Sequence, residues 1–384
     1  MDAMLPESDG GPSGRSHDGP HADPPGSPPG SPPGRPSGTP PGRPSGDDRA
    51  RGRRPLRAGA AWAVLLLALL LALLLSLAVG SRPIPPAEVL RALLHGGDGA
   101  EARVVLEMRL PRTVIGLMVG AALGLAGAVL QGLTRNPIAE PGVLGLGQGA
   151  SCGVVLAIAL FGVHTLSGYV WFAFAGAAAA AVVAYAVAAG GRGGATPVKL
   201  ALAGAAVNAF AVAVISAVVT TDATVNDEFR FWQVGALSGR GTDVASQVLP
   251  FLAAGAVLVL VAARGLDALA LGDDTARGLG QNVAVVRVAG AAGATVLTGA
   301  AVAAAGPVAF VGLAVPHVAR ALIGADHRRL LAACLLLGPV MLLLSDVVGR
   351  IVFPPSEVPA GVMTALVGVP FLVATVRRRA VVAA

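Results

Sequence analysis

Apolar residues in this chain do not alternate with polar ones; they run in long blocks. From Ala60 onward, stretches of about twenty apolar positions follow one another with short polar breaks. That is the length a helix needs to cross ~30 Å of hydrocarbon. The blocks predict ten spans, at 60–79, 112–133, 142–162, 168–189, 198–220, 244–263, 283–305, 307–323, 330–350 and 359–376. A β-barrel is excluded because the runs are continuous and lack a period of two. Only helices satisfy their own backbone across so much lipid. The expected fold is an all-α polytopic membrane protein of about ten transmembrane helices.

Composition supports this. Of 384 residues, 54% are hydrophobic and 13% charged, more apolar surface than a soluble domain could hide. The net charge of +6 would fit a nucleic-acid partner, but the arginines sit in short loops between spans. With the N-terminus inside, seventeen Lys and Arg flank the inner ends of the spans and eight the outer ends, so the bias supports that orientation. Both termini are then cytoplasmic, with Arg377, Arg378 and Arg379 closing the last span. Lipid is a partner and nucleic acid is not. The outer loop 80–111 breaks the bias with Arg82, Arg91, Arg103 and Arg109, and Arg112 follows at once.

Residues 1–54 have a different composition. Glycines at 26, 30, 34, 38, 42 and 46 repeat with a period of four, which excludes a collagen helix. The segment has too little apolar surface to offset ordering, and a disordered cytoplasmic tail is expected. The first apolar run is too long for a signal-peptide core. The chain therefore divides into a tail, 1–54, and a transmembrane domain, 55–384. Cys152 and Cys334 lie in apolar spans without metal-ligand spacing or a disulfide framework, and read as small hydrophobes.

The break LGDDTARGLG, residues 271–280, falls on the cytoplasmic side by parity. Gly272 followed by Asp273 and Asp274 reads as a helix start, with the carboxylates capping free N–H groups at the positive end of the dipole. Arg277 lies three residues beyond Asp274, and Gly280 ends the helix. A helix of about two turns along the membrane is predicted, with Ala276 on its exposed surface. It is either a capped connection or a knob for a cytoplasmic partner.

This stretch resembles the coupling segment, of form LGxxxAxxLG, of the permeases that import vitamin B12, haem and ferric siderophores in ABC transporters, the FecCD or BtuC-like family. RLPRTVIGLMVGAALGLAGAVLQGLTRNPIAEPGVLGLGQGAS (109–151) is similar to that family's second and third helices. FVGLAVPHVARALIGADHRRLLAACLLLGPVMLLLSDVVGRI (310–351) resembles its eighth and ninth, and SEVPAGVMTALVGVPFLVATVRR (356–378) its tenth. The resemblance implies a type II ABC importer permease in a bacterial cytoplasmic membrane. It implies a second permease, the same or a paralogue, and a dimer of ATPase subunits. It also implies a substrate-binding protein outside. No GxxxxGK[ST] loop occurs here, so ATP and Mg belong to the ATPase; this chain carries no cofactor and is not an enzyme. The implied contact comprises Gly272, Asp273, Asp274, Thr275, Ala276, Arg277, Leu279 and Gly280. Arg109 and Arg350 match the family's docking arginines and would receive glutamates of the binding protein. A ferric siderophore is the first candidate cargo, with haem and vitamin B12 as alternatives. An ion-coupled secondary transporter and a membrane scaffold are the readings from other classes.

Other polar residues need an account. Pro137 and Pro141 force a non-helical path after the second span, and Asn136 can close a turn there. With Glu140 as a contact charge, these four are either a rigid turn or a second support for the ATPase interface. Gln131 reads as interhelical glue. His317 reads as a hydrogen-bonded structural group, with no second ligand at helical spacing for a metal. Asp346 in the ninth span needs a partner, and Arg350, one turn on, is the nearest. The loop 221–242 resembles an outer gate, its Phe231 and Trp232 being interface anchors or a vestibule lip.

Overall fold

A computed structural model describes residues 56–80, 82–190 and 197–383, and the tail expected over 1–54 lies outside them. Every regular element among the described residues is helical. Seven helices are long and apolar enough to span a membrane. They include α1 (Leu56–Ala78) and α4 (Leu110–Thr134), which α3 (Ala100–Arg103) and a π-helical turn precede without a break. The others are α6 (Leu166–Ala189), α7 (Pro197–Thr221), α9 (Thr242–Ala270), α11 (Val283–Ala305) and α13 (His327–Val352). Two shorter apolar helices, α5 (Leu146–Phe161) and α12 (Val311–Ile323), and the apolar stretch Ala360–Val373 of α14 (Ala360–Ala383) occupy the remaining predicted spans. The short helices α2 (Pro86–His95), α8 (Ala223–Gln233) and α10 (Asp273–Gly278) lie in the polar breaks.

Burial ranks these helices. The apolar window of α4 is 83% inside the protein and that of α11 is 72%, against 22% for α1. Leu66, Leu67, Leu70, Leu71 and Leu74 of α1 are exposed, as lipid-facing side chains are. Helix α4 is the hub, in contact with α9, α11, α12 and α13. The reason is its glycines. A Cβ on Gly127 would lie 1.9 Å from the Gly312 carbonyl oxygen, and one on Gly338 would lie 2.0 Å from that of Gly120. The backbones of α4, α12 and α13 touch, which only residues without side chains permit. Gly127→Val is expected to destabilise the fold by about 3 kcal/mol, the upper range for overpacking. Thermal melting in detergent checks it, with Gly147→Ala, which meets nothing within 4 Å, expected near neutral.

Two irregular segments precede α5 and α12. The stretch 135–140 leaves α4 non-helically, and 306–310 joins α11 to α12. They meet over α4, where Pro141 packs on Gly312. Unpaired buried backbone is costly unless protein groups satisfy it. The Gln131 side-chain amide donates to the carbonyls of Ala139, Gly312 and Leu313 at 3.2–3.3 Å. Its oxygen accepts from Arg320 at 2.6 Å. The glue expected of Gln131 thus joins two irregular segments as well as two helices. The Glu140 carboxylate accepts the N–H of Phe310, whose left-handed backbone starts α12. Glu140, expected as a contact charge, is half-buried and holds a helix start within the chain.

Candidate functional site

Charged groups collect at the two ends of the bundle. At one end α1 finishes at Ala78, and its last carbonyls carry the negative end of the helix dipole. Arg109 donates to the carbonyls of Leu77 and Ala78 at 2.8 Å and to that of Arg82. Arg350 donates to the Ser76 carbonyl at 2.7 Å. Asp346 is fully buried and pairs with Arg350, as its spacing predicted, and with a second cation that spacing did not reveal. Arg112 grips both of its oxygens, at 2.7 and 3.0 Å, and reaches Glu357 at 2.6 Å. Arg109 and Arg350, expected to receive a partner's glutamates, already have partners within this chain. They are 7% and 2% exposed, and their donors are committed to α1 and Asp346.

The predicted loop 221–242 is largely a helix, α8, capped by Asp222, which accepts from the N–H groups of Thr224 and Val225. Trp232 is neither an anchor nor a lip: it is 2% exposed and stacks on Phe229, with centroids 6.2 Å apart. The Phe231 side chain lies outside the described positions. On the same face Glu228 accepts from Tyr169 at 2.9 Å and pairs with His164 at 2.9 Å, tying α8 to the α5–α6 corner.

At the other end, α10 begins at Asp273 and ends as predicted. Gly280, at φ +78°, donates to the Arg277 carbonyl, and Gln281 donates to that of Ala276, a Schellman closure. Two details differ from expectation. Neither aspartate caps the helix; Gly272 precedes it at φ +111° without a side-chain bond. Ala276 is fully buried, so the exposed surface is made by Leu271, Asp274, Thr275, Arg277, Gly278, Leu279 and Gly280. Asp274 pairs only with Arg277, at 2.8 Å. Asp273 turns inward and joins three elements: one oxygen accepts from Arg135 at the end of α4, at 2.6 Å, and the other from Arg287 of α11, at 2.7 Å. Partial burial pushes its carboxyl up, but the two guanidiniums more than offset this and hold it below the usual range.

Around α10 the loop chemistry is as foreseen in part. The Asn136 side chain accepts from Ile138 N–H at 3.1 Å, closing the turn that Pro137 begins. Asp267, at the end of α9, accepts from His327 through both the backbone N–H, at 2.9 Å, and the ring, at 2.7 Å. Sequence reasoning missed Arg112, Arg135, Arg287, Asp267 and His327 as partners. The one available signal was an acid inside or beside a span, which demands a counter-ion without naming it. His317, half-buried on α12, meets Phe371 of α14 edge-on at 5.5 Å, a structural contact. Among the described residues no group of three His, Cys, Asp or Glu is placed to hold a metal.

The chain is similar to known proteins. The pattern of the FecCD transport family matches residues 67–378. The ferric enterobactin transport system permease protein FepD of Escherichia coli (strain K12) is 44% identical over 316 residues, 82% of this chain and 94% of its own length. The iron(3+)-hydroxamate import system permease protein FhuB of Bacillus subtilis (strain 168) is 38% identical over 79% of each chain. A solved structure described as an inward-facing conformation of a metal-chelate type ABC transporter superposes with a TM-score of 0.72. It is 27% identical and covers 83% of this chain and 99% of its own.

Proposed function

Because this chain belongs to the FecCD transport family, we propose that it is the permease through which an ABC importer moves ferric siderophores across a bacterial cytoplasmic membrane. The observation that carries the coupling is the brace at α10. Asp273 links a short exposed helix to α4 and α11, the two most buried helices of the bundle. A displacement of α10 is thereby delivered to the centre of the packed core, whose backbones move as bodies and do not deform.

The rest of the reading follows from that role. A separate ATPase dimer, holding ATP and Mg, contacts Leu271, Asp274, Arg277 and Leu279, with Asn136 and Pro137 beside them. α5, α12 and α14 complete ten crossings, with both termini and the tail 1–54 cytoplasmic and 55–384 forming the transmembrane domain. A second permease covers the apolar faces of α7 and α14, where Leu202, Phe210, Leu366 and Val367 are exposed. A substrate-binding protein docks at the outer mouth, which Arg109 and Arg350 support from beneath. The siderophore cargo rests on iron-chelate relatives; haem and vitamin B12 are the alternatives. An ion-coupled mechanism has little to use here, because Asp346 is neutralised by two arginines.

The test is reconstitution in sealed vesicles with and without a cognate ATPase and binding protein. ATP-dependent uptake of ferric catecholate, ferric hydroxamate or ferric citrate is expected only with both partners, and uptake of haem or cobalamin is not. Uphill transport by the chain alone would refute the reading.

A further inference from the structure

Two cavities meet at the end of the bundle that carries α10, and their linings differ in kind. The larger, about 830 Å³, lies among α4, α6, α7 and α11 and is walled mainly by apolar side chains, including Leu130, Leu133, Leu202 and Val288. The smaller, about 530 Å³, is open to the surface and lined by Arg277, Gln281, Asn282 and Arg287 together with Gly280, Val283 and Ala284. Ala284 and Arg287 line both, so the two lie side by side. A ligand that fills both must be apolar along most of its length and anionic at one end.

The chemistry of the smaller cavity fits a phosphate. Arg287 donates through one nitrogen to Asp273 and Arg277 through one to Asp274, and each guanidinium has further N–H groups in its fork. The first turn of α11, whose Val283 and Ala284 reach the same cavity, adds the positive end of a 23-residue helix. The apolar end fits a hydrocarbon chain. Val198 and Val288 at its wall are 70% and 63% exposed, so the cavity opens on an apolar surface of this chain. A soluble anion would leave the larger cavity unfilled, and an uncharged lipid would leave the arginines unused.

We propose that this pair of cavities is a binding site for an anionic phospholipid of the inner leaflet, its phosphate between Arg277 and Arg287 and an acyl chain in the larger cavity. Basic pockets between helices on the cytoplasmic side recognise such headgroups. The leaflet assignment rests on the orientation proposed above; the binding itself does not.

The full-length chain in neutral detergent would be titrated with phosphatidylglycerol and phosphatidylcholine of identical acyl chains, with retention read by native mass spectrometry. Phosphatidylglycerol is expected to bind about tenfold more tightly. Arg287→Gln is expected to erase that preference and Arg287→Lys to keep most of it. Ala201→Trp, at an exposed position of the cavity wall, is expected to weaken both lipids about tenfold. Inorganic phosphate and glycerol phosphate should not displace the lipid. Equal retention of the two lipids, an Arg287→Gln variant that elutes normally and keeps the preference, or displacement by inorganic phosphate would each overturn the proposal. The readout is binding, so a failed transport assay cannot imitate any of these results.

Discussion

Asp346→Ala is expected to cost on the order of 3–5 kcal/mol of stability, enough to leave little folded protein after extraction in detergent. Asp346 is fully buried and is the shared counter-ion of Arg112 and Arg350. Removing it leaves the buried Arg350 without a counter-ion and Arg112 with Glu357 alone, and an unpaired buried charge is far more costly than an absent pair. The effect spreads because Arg350 also donates to the Ser76 carbonyl, so the end of α1 loses its cap. A compensated variant separates charge from packing. Asp346→Leu with Arg350→Leu leaves Arg112 its bond to Glu357 and is expected to recover a large part of the loss. Fluorescence-detected size exclusion with thermal melting reads both variants. A single Asp346→Ala variant as stable as the parent would remove the cluster from its structural role.

Asp273→Arg is expected to lower ATP-driven uptake tenfold or more while the protein still inserts and its ATPase still turns over. The change sets three cations together where one carboxylate joined Arg135 and Arg287. Repulsion there parts α10 from α4 and α11, so motion of the motor no longer reaches the bundle. Asp274→Arg is the contrast: its carboxylate is 99% exposed on the proposed ATPase face and pairs with Arg277 within α10, so uptake and hydrolysis are expected to fall together as the contact itself weakens. Uptake and hydrolysis measured in the same vesicles give the ratio that decides. Equal ratios for the two variants would remove Asp273 from the coupling path.

The brace also has a defined pH response. Its carboxyl is depressed in the folded chain, so its contribution is present above the ordinary carboxylate value of ~3.9 and is lost only as pH falls through the lower, folded value. Coupling is therefore expected to stay level between about pH 5 and 8. A drop within that window would point to a titrating group other than Asp273.

Residues of one type show how much of this was legible. The arginines of the outer loop were visible as an excess, and an excess outside a membrane invites a docking partner as its explanation. The folded chain uses Arg109 and Arg350 to close the end of α1. Nothing near them in sequence states this, since their acceptors are 32 and 274 residues away. The brace at α10 is the same case: Arg135 is 138 residues from Asp273. Ala276 was misplaced for another reason. A helix of six residues has less than two turns, too little periodicity to tell its packed face from its open one.

What the sequence by itself determined is whatever depends on neighbours along the chain. Hydropathy summed over about twenty residues places a helix in lipid regardless of its partners, so the spans were readable. Glycine at positive φ stops a helix locally, so the end of α10 was readable, as was the Asp346–Arg350 pair one turn apart. Only the tertiary structure decided which cations share Asp346, which helices α10 pushes on, and where the irregular segments before α5 and α12 meet. In a membrane every buried charge and every freed carbonyl must find a partner. Sequence announces that need, and packing between distant segments selects the group that meets it.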